Sequence, residues 1–301
     1  MPLFATSTPE IPITPLQDSL FRKHCLDVRM ARLDLVHPEV SGNKWFKLKY
    51  NLIHAQRHGV NRVVSFGGPF SNHIHALAWT GRQLGIETVG VIRGEPVSNH
   101  TLSDAAKWGM QLVFVNRKEY RERYSAEYCQ RLSERFGATV IPEGGSNTLA
   151  VQGVAEVVPT LTMDRQSPDV ICVATGTGGT IAGVIAGAGP SVRVEGYPVL
   201  KGASFLRDDI KRLLPSISGL SSWELDLEAH YGGYGKVSSE HLALWRELEE
   251  RFATPLDPIY TSKMLRRFLE RVEAGCYLPQ SKILLLHTGG LQGARSFELS
   301  P

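Results

Sequence analysis

Val173-Ala174-Thr175-Gly176-Thr177-Gly178-Gly179-Thr180-Ile181-Ala182-Gly183 is the stretch whose reading decides the fold. It begins as an apolar strand, passes through a loop of glycines and threonines, and continues as a helix. Such a loop suits an anion. Its backbone N–H groups are free, its hydroxyls converge, and the dipole of the following helix adds positive potential. A purely structural turn rarely needs so many glycines and threonines. One alternative uses the same residues. Gly176-x-Gly178-x-x-x-Ala182 after a strand also fits a dinucleotide fingerprint, with Glu195 about 20 residues on, where a ribose-binding acid would sit.

Outward from this unit, short apolar runs alternate with helical patterns. Strands are expected over 62–66, 87–92, 111–115, 138–141, 169–174, 193–196 and 282–287. Helices are expected over 71–84, 102–108, 118–136, 146–158, 179–188, 238–252 and 261–274. This alternation predicts an α/β chain with two open, twisted, mostly parallel sheets flanked by helices. The uninterrupted apolar strands fit sheets covered on both faces. Residues 46–150 are expected to form a smaller domain inserted into a larger one made of 1–45 and 151–301.

Composition narrows the partners. The 33 Lys and Arg against 30 Asp and Glu leave a formal charge of +3, too small to argue for nucleic acid or a membrane surface. Arg266, Arg267 and Arg271 form the one cluster of arginines, expected as a solvated helix face. Cys25, Cys129, Cys172 and Cys276 are scattered without a C-x-x-C pair. That argues against a metal site or a disulfide framework and fits a reducing, cytoplasmic setting. Met1 to Pro15 lacks the basic and apolar regions of a signal peptide. No apolar run approaches the ~18 residues of a membrane span.

Three further segments could carry chemistry. In Ser41-Gly42-Asn43-Lys44-Trp45-Phe46-Lys47, a helix begins near Asn43 or Lys44. A lysine there opposes the helix dipole, and desolvation would depress its pKa further, giving the neutral amine that Schiff-base chemistry needs. Taken alone, Lys44, Lys47 and Lys49 read as solvated surface lysines. In Gly67-Gly68-Pro69-Phe70-Ser71-Asn72-His73, a glycine turn leads into a helix start whose N–H groups, with Ser71 and Asn72, could hold a carboxylate. Ordinary N-capping explains the same residues. In His287-Thr288-Gly289-Gly290, Thr288 stands at the carboxyl end of a strand, where ligands of α/β proteins bind.

Four of these features, in order, resemble one group. Gly42-Asn43-Lys44, Gly67-Gly68 with Ser71-Asn72-His73, Thr175–Gly179 and Asp257-Pro258-Ile259-Tyr260 are similar to the 1-aminocyclopropane-1-carboxylate (ACC) deaminase and D-cysteine desulfhydrase family. Those are fold type II pyridoxal-phosphate (PLP) enzymes, with the cofactor in the cleft between a large and a small domain. The resemblance implies that Lys44 carries PLP as a Schiff base. It implies that Thr175, Gly176, Thr177, Gly178, Gly179 and Thr180 form the phosphate loop, and that Asn43, Asn72 and Thr288 contact the cofactor. Ser71, Asn72, His73, Tyr234 and Tyr260 would meet a small amino-acid substrate, with Ser71 and the two tyrosines assisting catalysis. A homodimer is common in the family.

Within the family, ACC deaminases resemble Tyr-Glu-Gly where this chain has Tyr260-Thr261-Ser262, and carry Leu where it has Thr288. A threonine facing the pyridine nitrogen makes a weaker electron sink than an acid does. Ring opening needs the stronger sink, so the resemblance favours D-cysteine desulfhydrase-like elimination to a 2-oxo acid, ammonia and sulfide. His73, His75, Pro69-Phe70 and the segment Tyr197–Gly202 depart from the pattern and leave the substrate open. The rival readings are ACC deaminase, another PLP-dependent dehydratase or racemase, a non-catalytic PLP-binding protein, and an NAD(P)-dependent oxidoreductase. Without a role in choosing the substrate, His73 and His75 would read as one exposed residue and one packed aromatic.

Overall fold

The computed structural model describes residue 4 and residues 9–162, 167–216 and 218–298. Much of the Met1–Pro15 segment therefore lies outside the described residues. Among the described residues, ten strands form two sheets. They are β1 (Ile13–Pro15), β2 (Asp27–Arg32), β3 (Arg62–Gly67), β4 (Glu87–Arg93), β5 (Gln111–Val115), β6 (Thr139–Ile141), β7 (Val170–Thr175), β8 (Arg193–Pro198), β9 (Ser222–Leu225) and β10 (Lys282–His287). The larger sheet runs β1-β2-β10-β7-β8-β9 and the smaller β5-β4-β3-β6. Every pairing is parallel except β1 with β2. The expected α/β class with two mostly parallel sheets is what the chain forms.

Side-chain alternation explains why the strands are apolar throughout. In β7, Ile171 and Val173 enter the core between the two sheets, whereas Val170, Cys172 and Ala174 enter the outer core of the large sheet. In β3, Val63 faces the shared core and Val64 and Phe66 face outward under Tyr120, Tyr128 and Phe136. Strands buried on both faces need apolar residues at both parities. Each fully buried aliphatic side chain, such as Leu285, contributes about 1.5–3 kcal/mol.

The differences from expectation have local causes. β1, β2 and β9 were not anticipated: β1 and β9 are only three and four residues long, and β2 carries Asp27, Arg29 and Arg32 among its apolar residues. The helix expected over 118–136 is broken. Arg117–Arg121 ends in a tight turn, and Ser125 then caps Ala126–Phe136 by accepting from Tyr128 N. The helix expected over 146–158 is Thr148–Ala155, capped by Asn147, with Val158–Thr162 following. The amphipathic helix Leu206–Leu213 was also missed. The arginine cluster is not a solvated face. Arg267 and Arg271 reach the buried Asp226, and Arg271 also pairs with Glu195 and Glu224, at 2.9–3.2 Å. The Thr261–Glu273 helix packs against the large sheet, so carboxylates of β8, of β9 and of the residue after β9 cover that face. No helix among the described residues is long and apolar enough to cross a membrane.

Candidate active site

The strand order sets where a ligand can sit. From β7 the chain builds outward to β8 and β9, then returns to place β10 on the other side of β7. From β3 it builds out to β4 and β5, then returns to place β6 beyond β3. Each reversal opens a crevice at the carboxyl ends of the strands. One cleft of about 300 Å³ is lined from both sheets, by Arg93 at the end of β4 and by residues following β3, β5, β6, β7, β8 and β10.

At its base lies an anion cradle. The helix Gly179–Ala188 starts at Gly178, and no side chain caps its first N–H groups. Lys47 Nζ donates to Ser146 Oγ at 2.8 Å, and Ser146 Oγ meets Thr177 Oγ1 at 2.5 Å. A Cβ on Gly179 would stand 2.6 Å from Ser146 Oγ and 2.9 Å from Lys47 Nζ, so only glycine leaves this pocket open. Burial, and then the charge of Lys44, hold the Lys47 amine well below its ordinary pKa. A bound anion would relieve both costs. Asn43 Nδ2 donates to Thr180 Oγ1 at 2.6 Å and ties the Lys44 helix to the cradle.

Lys44 is the second residue of the Asn43–Arg57 helix. Gly42 enters that helix at φ +73°, and a Cβ there would lie 1.9 Å from Thr288 O. The backbones of Gly42 and Gly289 are pressed together, and Asn43 N donates to Thr288 O at 3.2 Å. The end of β10 therefore fixes the start of the helix. Desolvation lowers the Lys44 pKa from 10.5 to about 8. No hydrogen bond or ion pair holds its Nζ among the described residues.

On the opposite wall, Ser71 caps the Asn72–Leu84 helix, accepting from Ile74 N at 3.3 Å, and also lines the cleft. The capping and the ligand-facing readings thus apply to the same side chain. Asn72 lines the cleft and accepts from Gln292 Nε2 at 2.9 Å. His73 and His75 are both buried, so neither is an exposed surface residue. Ser65 Oγ lies 2.8 Å from both Ile141 O and His73 Nε2 and so fixes the imidazole ring. His73 Nδ1 is buried and has no partner among the described residues. Burial, then Lys44 and Lys47, hold His73 well below the ordinary histidine pKa, so it is neutral. His75 points away, edge-on to Trp108 and 3.4 Å from Asp104.

Tyr260 and Tyr234 form the third wall, edge to face at 6.0 Å between ring centroids. Asp257 accepts from the N–H groups of Ile259, Tyr260 and Thr261 and so fixes the turn that carries Tyr260. Lys263 Nζ donates to His230 O and Gly233 O and so anchors the turn that carries Tyr234. Burial raises both phenol pKa values, so both tyrosines keep their protons.

All the sequence-derived candidates meet at this cleft. Asn43, Lys44, Ser71, Asn72, His73, Thr175, Gly176, Thr177, Gly178, Thr180, Tyr234, Tyr260 and Thr288 line it, and Gly179 backs the cradle. Sequence reasoning missed Lys47, Ser146, Arg93, Arg123 and Glu143. Lys47 was discoverable, since it lies one helical turn beyond Lys44 on the same face. The dinucleotide alternative loses its acid. Glu195 is 1% exposed and committed to Tyr197, Tyr277, Arg193 and Arg271.

Comparison with known proteins agrees with this geometry. A putative 1-aminocyclopropane-1-carboxylate deaminase of Thermotoga maritima is 33% identical, over 93% of this chain and 94% of its own. A D-cysteine desulfhydrase of Yersinia enterocolitica is 26% identical, over 96% and 92%. The crystal structure of an ACC deaminase homologue superposes with a TM-score of 0.78 at 28% identity, covering 95% of this chain and 90% of that one. The family model described as pyridoxal-phosphate dependent enzyme matches residues 7–289, and the chain belongs to that family.

Proposed function

We propose that this enzyme catalyses α,β-elimination from a small amino acid, in the manner of a D-cysteine desulfhydrase, giving a 2-oxo acid, ammonia and sulfide. The observation that carries the reading is an unbonded, desolvated amine at Lys44, one helical turn from an anion cradle and across the cleft from Ser71 and Asn72.

The residues fit pyridoxal phosphate. The cradle of Lys47, Ser146, Thr177 and the Gly178–Thr180 backbone suits its phosphate, with Thr175 and Gly176 completing the loop. Lys44 suits its aldehyde, and Asn43, Asn72 and Thr288 offer neutral polar contacts. When bound, the cofactor supplies the electron sink for the carbanion left by α-proton removal. Lys44 Nζ is the base that takes that proton. Ser71 Oγ and Asn72 orient the substrate carboxylate, and neutral His73 borders the same space. Tyr234 and Tyr260, holding their protons, donate toward the departing sulfur.

Elimination is preferred to ring opening because the side chain that lines the cleft after β10 is a threonine, Thr288, and not an acid. The carboxylates that line the cleft are Glu143 and Asp209, each held by an arginine. Thr261, where ACC deaminases resemble a glutamate, is fully buried. The second reading, ACC deamination, draws on the description of the Thermotoga maritima relative. We further propose the division into 1–45 plus 151–301 and 46–150. Its two boundaries fall within the helices Asn43–Arg57 and Thr148–Ala155, which pack together. The homodimer rests on the family resemblance, and the cytoplasmic setting on cysteine usage.

The test is 2-oxo-acid formation by purified protein supplied with pyridoxal phosphate, comparing D-cysteine with ACC. Pyruvate with sulfide from D-cysteine, absent in Lys44→Ala, is the expected result. 2-Oxobutyrate from ACC would overturn the choice made on Thr261 and Thr288.

A further inference from the structure

Six charged side chains line the cleft: Lys44, Lys47, Arg93, Arg123, Glu143 and Asp209. Five have an evident role or partner. Lys44 is the reactive amine and Lys47 belongs to the cradle. Arg123 Nε holds Glu143 at 2.6 Å, and Asp209 pairs with Arg212. Arg93 has no hydrogen bond or ion pair among the described residues. The carboxylate of Glu143, which also lines the cleft, has other partners, accepting from Tyr120 at 2.6 Å, Arg123 at 2.6 Å and Tyr124 at 3.1 Å.

Arg93 is also placed where a substrate passes. It is the last residue of β4, beside the loop after β3 that delivers Ser71. Its Nη2 lies 3.4 Å from where a Gly68 Cβ would stand, which places the guanidinium against the glycine turn that precedes Ser71. The Tyr120 ring flanks it at 5.7 Å. Arg93 is exposed and shares the mouth of the cleft with Tyr124, which is 62% exposed. An unpaired guanidinium offers a fork of donors suited to an oxyanion.

We infer that Arg93 forms a second anion site in the cleft, and that the enzyme's substrates extend beyond D-cysteine to amino acids whose β-substituent carries negative charge. The inference rests on the elimination reading above and names its substrate class. With S-sulfocysteine, the Cα–H and Cβ–S bonds break and a carbon–carbon double bond forms. Lys44 takes the proton, and thiosulfate leaves with the electron pair. Water then releases the remainder as pyruvate and ammonium. Arg93 binds the sulfonate before this step and the thiosulfate after it.

The test uses the full protein with pyridoxal phosphate and two probes, racemic S-sulfocysteine and racemic 3-chloroalanine, whose leaving group is uncharged while still bonded to carbon. Pyruvate release gives kcat and KM for each. In Arg93→Met, the ratio of kcat/KM for S-sulfocysteine to that for 3-chloroalanine should fall about 10–100-fold, mainly through KM. Arg93→Lys should recover part of it, and added salt should narrow the ratio in the wild type only. An unchanged ratio overturns the inference, whether both rates fall together or neither moves. Wild-type turnover of 3-chloroalanine but not S-sulfocysteine leaves elimination standing and removes the anion site. Turnover of neither removes both.

Discussion

The first turns of two helices each carry a lysine whose pKa burial lowers to about 8. Lys44 begins Asn43–Arg57, and Lys263 begins Thr261–Glu273. Lys263 is fully buried, yet its Nζ donates to two carbonyls, at 3.0 Å to His230 O and 2.9 Å to Gly233 O. Lys44 Nζ has no such partner and opens into the cleft. A depressed pKa alone does not distinguish a reactive amine from a structural one, because desolvation acts on both. The partners distinguish them. Lys263 spends its donors on the turn bearing Tyr234, and Lys44 keeps its lone pair available.

The strongest way to break this comparison is to remove each amine. Lys44→Ala should lower elimination by about 10²–10⁴-fold, read as pyruvate release, without lowering the thermal midpoint. Comparable turnover in the variant would place the base elsewhere. Lys47→Ala should leave Lys44 in place but weaken the cradle, raising the apparent Kd for pyridoxal phosphate about 10–100-fold in an absorbance titration. Lys263→Met should act oppositely to Lys44→Ala. It removes one of the two donors that His230 O and Gly233 O each have, and should cost about 1–3 kcal/mol in denaturant unfolding, with a rise in KM as the Tyr234 turn loosens.

The smallest effect is in pH. Burial holds the amines of Lys44 and Lys263 near 8 in the fold, against 10.5 when solvated. Between those values the unfolded chain binds more protons than the folded one, so these lysines make stability rise with pH across that window. Below pH 8 their penalty is constant. Cofactor-free Lys44→Met should therefore exceed the wild type in stability most at neutral pH, with the gap closing toward pH 10.5. A gap that widens with pH would show that the Lys44 amine is not desolvated.

Legibility in the sequence followed the same division between local and tertiary causes. The glycine loop and Ser71-Asn72 were readable because each is a contiguous segment after a strand end, where parallel topology gathers ligands, whereas Gly42-Asn43-Lys44 was read only through its resemblance to a family. The β7–helix unit was readable because strands buried on both faces are apolar without interruption. Arg267 and Arg271 were misread because the acids that cover them come from β8, from β9 and from the residue after β9, while Arg266 pairs with Glu240 and Glu270. Lys47 and Arg93 were passed over for a related reason. A lone Lys or Arg in the chain says nothing of the Ser146 or Gly68 that folding sets beside it.

The central claim is that Lys44 is the amine that carries the cofactor. Borohydride reduction of the cofactor-loaded protein, followed by peptide mass spectrometry, tests it most directly. The account predicts one pyridoxyl-modified lysine, at Lys44. Modification at Lys47, Lys49 or Lys263 with Lys44 untouched would contradict it.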